Sequence, residues 1–128
     1  MDLKKTILLG LFMLMSAAGY SQDAIQQISA AFRSADTAAL ELLLDDKVQI
    51  AVNGQQQLLS RKEAGKEIAL FFTKNNPSGF SVIHQSRKGQ SQYMIGRLDT
   101  EPGGFRVYCL ISTDKNRNKI AQIRIEKL

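Results

Sequence analysis

The stretch QSQYMIGRLDTEPGGFRVYCLIST, residues 90–113, decides the fold. Met94, Gly96 and Leu98 alternate with Tyr93 and Arg97, and Phe105, Val107, Cys109 and Ile111 alternate with Arg106 and Tyr108. A period of two is that of a strand with one face buried and one face open. Pro102-Gly103-Gly104 separates the two runs and supplies a turn, so the stretch reads as a hairpin.

The same pattern extends outward in both directions. Lys88-Gly89 is a turn on one side and Asp114-Lys115-Asn116-Arg117-Asn118 a turn on the other. The spacing predicts a four-strand antiparallel meander over roughly 79–87, 90–99, 104–113 and 119–127. One face collects Phe80, Val82 and His84, then Met94, Gly96 and Leu98, then Phe105, Val107, Cys109 and Ile111, then Ala121, Ile123 and Ile125. The other collects Tyr93, Arg97, Arg106, Tyr108, Gln122, Arg124 and Glu126. Keeping the apolar residues together fixes the register. It sets His84 against Met94, Met94 against Cys109, and Cys109 against Ile123. On the polar face it sets Arg97 against Arg106, Arg106 against Glu126, and Tyr108 against Arg124.

Upstream, Val48, Ile50 and Val52 alternate with Gln49 and Ala51, and Asn53-Gly54 suits a two-residue type I′ turn. A short strand through Gln57 and Leu58 returns beside it. Ser60-Arg61-Lys62-Glu63 is a capping box that opens a helix bearing Ala64, Ile68, Phe71 and Phe72 on one face, and Asn75-Asn76-Pro77-Ser78-Gly79 ends it. Ile25, Ile28 and Phe32 mark an earlier helix begun by Asp23. A second starts near Asp36 with Leu40, Leu43 and Leu44 as its stripe. Asp45-Asp46 would close it against the rule that acids are unfavourable at a helix C-terminus. Helices segregated from an antiparallel sheet make an α+β domain.

That order of elements, with Phe71-Phe72, Asn76-Pro77 and Phe80, then His84, Tyr93-Met94-Ile95-Gly96 and Phe105-Arg106-Val107-Tyr108, resembles the NTF2-like (cystatin-like) fold. More narrowly it is similar to a family of uncharacterised exported NTF2-like proteins from Bacteroidetes. The resemblance implies a cone of curved antiparallel sheet packed with helices. The wider superfamily includes isomerases and dehydratases as well as binding and scaffolding members, so fold alone assigns no activity. An enzyme of that kind would use His84 in the cone cavity.

The N-terminus reads as a targeting segment. Lys4 and Lys5 precede the apolar run from Ile7 to Met15, and the small residues Ser16, Ala17, Ala18 and Gly19 follow, then Tyr20 and Ser21. This is the pattern of a secretory signal peptide cleaved after Ser21, with Gly19 at −3. The run is too short for a retained anchor, which needs about 20 apolar residues. A single domain over 22–128, exported to the periplasm or beyond, is the expectation. A chain with 44% hydrophobic and 23% charged residues and one cysteine is neither disordered nor a disulfide scaffold. Without residues 1–21, 15 basic face 11 acidic residues, leaving +4. Thirteen of those basic residues lie in 61–128, against six acidic ones. An exported chain meets little nucleic acid, so a solvated basic face is the reading.

Two sets of candidate residues follow. His84, Met94, Phe71, Phe80 and Cys109 are candidates for a cavity taking a small apolar ligand, in a space walled also by Phe32, Phe72 and Phe105. Tyr93, Arg97, Arg106, Tyr108 and Arg124 are candidates for an anion-binding or homodimer face, since Tyr and Arg are enriched at interfaces. His84 and Cys109 fall two strands apart, about 9–10 Å at about 4.8 Å per strand, so they form no nucleophile–base dyad. One His and one Cys make a metal site unexpected, and no phosphate loop or hydrolase elbow implies a cofactor or catalytic residue. The sequence therefore points to a non-catalytic domain that binds a small ligand or associates with itself.

Overall fold

The computed structural model describes residues 24–114 and 117–128; the expected signal peptide, Asp23, and Lys115-Asn116 of the last turn lie outside the described residues. Three helices, α1 (Ala24–Arg33), α2 (Thr37–Leu43) and α3 (Arg61–Asn75), pack on one six-stranded sheet. The strands are β1 (Leu44–Val52), β2 (Gln55–Ser60), β3 (Pro77–Lys88), β4 (Ser91–Thr100), β5 (Gly103–Asp114) and β6 (Arg117–Lys127). Their order across the sheet is β2-β1-β6-β5-β4-β3. The meander is present as expected. The hairpin β1–β2 joins it through a parallel pairing of β1 with β6, so the first strand closes on the last.

Local chemistry accounts for most boundaries. Asn53 and Gly54 both take positive φ, 50° and 91°, as the two-residue turn requires. Ser60 caps α3: its Oγ accepts from the Glu63 N–H and donates to Glu63 Oε1. Asn76 ends α3 in the left-handed region, where its N–H reaches the Phe72 carbonyl. α2 stops earlier than its leucines suggest. Leu44 is extended, with φ −77° and ψ 146°, and Asp45 and Asp46 belong to β1. The acids thereby avoid the negative helix end, and Asp46 pairs with Arg61 at 2.8 Å.

The core lies between the helices and the concave face. Ile25, Ile28 and Phe32 from α1 and Phe71 and Phe72 from α3 share one buried cluster with Phe80 on β3 and Phe105 on β5. Phe32 stacks on Phe80 with centroids 5.1 Å apart and takes the edge of Phe72 at 5.8 Å. Phe71 meets Phe105 edge-on at 5.0 Å. Each such buried side chain contributes about 1.5–3 kcal/mol. The rings expected to wall a cavity are packed on one another.

Two bulges correct the register read from parity. On β3, Val82 faces Gly96 and His84 faces Ile95, which leaves Ile83 as the extra residue. His84 is thus turned out of the core and is exposed, not opposite Met94. On β6, Leu110 faces Gln122 while Ile111 faces Ile120, so Ala121 is extra and Ile120, not Ala121, is the fully buried residue. The pairings of Met94 with Cys109 and of Cys109 with Ile123 stand. A bulge bends its strand and raises its twist, which curves this sheet at both places.

Candidate functional site

The outer face of the sheet is built in rows. The register aligns His84, Ile95, Tyr108, Arg124, the buried Ala51 and Gln56 from β3 across to β2. The next row runs Ser86, Tyr93, Leu110, Gln122, Gln49 and Leu58. On the β3–β6 side these two rows line a groove of about 370 Å³. His84 and Ser86 come from β3, Tyr93 and Ile95 from β4, Tyr108 and Leu110 from β5, and Gln122 and Arg124 from β6. The groove lies between the two bulged strands. Without the Ile83 bulge, parity would aim His84 into the core.

The formal charge among the groove's described lining residues is that of the Arg124 guanidinium. Arg124 lies over the Tyr108 ring, its Cζ 4.2 Å from the centroid, a favourable cation–π geometry. Its Nε sits 3.3 Å from Glu126 Oε1, yet that buried nitrogen makes no hydrogen bond among the described residues. His84 stands at the opposite wall, with the two tyrosines between and Ile95 and Leu110 as aliphatic floor. Among the described residues, no carboxylate lines the groove. Arg97 and Arg106 face each other beside it: Arg97 donates to Asp99 at 2.9 Å, and Arg106 lies opposite Glu126. The exposed Arg97–Asp99 pair contributes at most about 1 kcal/mol.

The two sets of candidate residues are therefore redistributed. Phe71, Phe80, Met94 and Cys109 are buried, with Met94 and Cys109 facing the core and only underlying the groove floor. His84 leaves that set and joins Tyr93, Tyr108 and Arg124 on the outer face. This removes the catalytic use of His84 in the cone. Burial pushes the Cys109 thiol up to about 12, so it has no thiolate character. Among the described residues no group of three His, Cys, Asp or Glu could hold a metal, and no helix is long and apolar enough to cross a membrane. Sequence reading passes over Ile95 and Leu110, although parity alone assigns them to the outer face; the arginines and tyrosines around them carry the more conspicuous chemistry.

A family model described as a domain of unknown function, DUF4783, matches residues 25–126. A DUF4783 family protein from Bacteroides ovatus is 34% identical, covers 84% of this chain and 96% of its own, and superposes with a TM-score of 0.79. One from Bacteroides fragilis is 32% identical over 80% of this chain and 96% of its own, with a TM-score of 0.77. An NTF-2 like protein of unknown function from Silicibacter pomeroyi is 14% identical over 81% of this chain and 89% of its own, at a TM-score of 0.61, and shares the fold alone. No curated protein matches the chain.

Proposed function

The chain belongs to the DUF4783 family, whose function is unknown, and has an NTF2-like fold; from that premise we propose that it is a non-catalytic binding domain whose outer groove holds a small organic anion. The observation that carries the reading is the groove of about 370 Å³ with two basic side chains, two tyrosines, an aliphatic floor and no acid among its described residues. Its volume is in the range of about 300–1,000 Å³ typical of small-molecule sites. A carboxylate would meet Arg124, whose guanidinium is already oriented by the Tyr108 ring. An apolar body would lie on Ile95 and Leu110 between the tyrosines. His84 and Ser86 would close the far end.

Benzoate tests this, with benzyl alcohol as its neutral counterpart. In an ¹⁵N-resolved NMR titration, benzoate should move the amides of Tyr93, Tyr108 and Arg124 saturably, and benzyl alcohol should bind more weakly. Arg124→Gln should weaken benzoate about tenfold or more, because a hydrogen bond to a charged group contributes about 1.5–3 kcal/mol. Shifts confined to the helices, or equal binding of the two probes, would sink the reading.

The proposal includes export, on the strength of Lys4, Lys5 and the apolar run that follows. Expressed whole in a Gram-negative host, the chain should be recovered from the periplasm with Gln22 as its first residue. Intact protein beginning at Met1 in the cytoplasm would contradict it.

A further inference from the structure

The two edges of the sheet are built differently. β3 begins with Pro77, carries the Ile83 bulge and ends in Arg87 and Lys88. Proline, bulges and charge are the devices by which edge strands avoid pairing with other chains. β2 has none of them. Its six residues, Gln55-Gln56-Gln57-Leu58-Leu59-Ser60, are uncharged and pair with β1 without a register shift. Leu58, on the outer face opposite Gln49, is 71% exposed.

We propose that β2 is a docking edge for a second copy of this chain, the two β2 strands pairing antiparallel about a two-fold axis through Leu58. Charge selects this occupant. Two copies of β2 bring no like charges together, whereas β3 is guarded by Pro77 at one end, by Arg87 and Lys88 at the other, and by its bulge between them. Stacking the outer faces would oppose the Arg97 and Arg106 patch to its own copy. Pairing β2 with β3 of another copy would be head-to-tail, building a ring or a filament in place of a two-fold dimer. Parity selects the register. Residues directly opposite in an antiparallel pair share a face, so Leu58 can lie opposite Leu58 of the second copy. Gln57 then lies opposite Leu59, and Gln56 opposite Ser60. The otherwise exposed Leu58 is covered by its own equivalent, and the two sheets run on as one. This proposal is independent of what the groove binds.

Sedimentation of the chain from micromolar to millimolar concentration tests it. A reversible shift to twice the monomer mass is expected, lost in Leu58→Lys and kept in Leu70→Lys, which alters an exposed leucine on α3. Leu58→Cys should cross-link between copies when treated with oxidised glutathione, because Cα atoms about 4.5–5.5 Å apart in an antiparallel pair suit a disulfide. Gln57→Cys, which would face Leu59, should not. A chain that stays monomeric throughout overturns the proposal. So does a dimer indifferent to Leu58→Lys, or a dimeric Leu58→Cys chain that keeps its thiols.

Discussion

Phe32→Ala is expected to cost about 3–5 kcal/mol of folding free energy, a large part of the roughly 5–15 kcal/mol that holds a domain of this kind together. Phe32 is wholly buried and touches two other rings, Phe80 face to face and Phe72 at its edge. It joins α1 to β3 and to α3 at once, so removing it opens a void that three elements would have to close together. Urea denaturation gives the measurement: with a slope of about 2 kcal/mol/M, the midpoint should fall by roughly 2 M. A fall well under about 0.5 M would mean that the ring fills little space, and the ring-on-ring packing described above would be wrong.

Gly96→Val should destabilise by about 3 kcal/mol, at the upper end of the usual cost of overpacking a core. A Cβ at Gly96 would overlap the Cζ of Phe80, far inside contact distance. Phe32, stacked on that ring at 5.1 Å, blocks its retreat on one side. The glycine is therefore required by the space its absent side chain leaves, and not by its backbone angles. A double-mutant cycle isolates the cause: Phe80→Leu should recover part of the loss in Gly96→Val, giving a coupling of about 1 kcal/mol or more. Additive losses would show that the Gly96→Val chain suffers from something other than Phe80.

Much of this architecture is legible in the residues because each boundary rests on local chemistry. Asn53-Gly54 needs no distant partner to be a turn, and Ser60 and Glu63 cap a helix within one turn of each other. Registers in β4 and β5 follow from parity because nothing interrupts those strands. Parity fails at a bulge, since one extra residue inverts every face beyond it. Ile83 and Ala121 carry no compositional mark of being extra; either fits an uninterrupted strand. Parity therefore assigns His84 to the interior with Val82, and the groove, which needs His84 beside Ile95, is not visible in the sequence. The parallel pairing of β1 with β6 is hidden for another reason: it joins opposite ends of the described chain, and no local signal reports it.

That closure sets when the molecule can form. β1 lies between the β2 edge and β6, and the Lys119 ammonium holds the Leu42 carbonyl across 77 positions of chain. The hairpin of β1 and β2 has no meander to join until the final strand is present. Sheets completed by such distant partners assemble slowly, because the entropy of closing the long loop is lost before the contacts that reward it form. A nascent chain stopped short of residue 117 would hold three strands of the meander and both helix-bearing halves, yet lack the one strand that ties its beginning to its end.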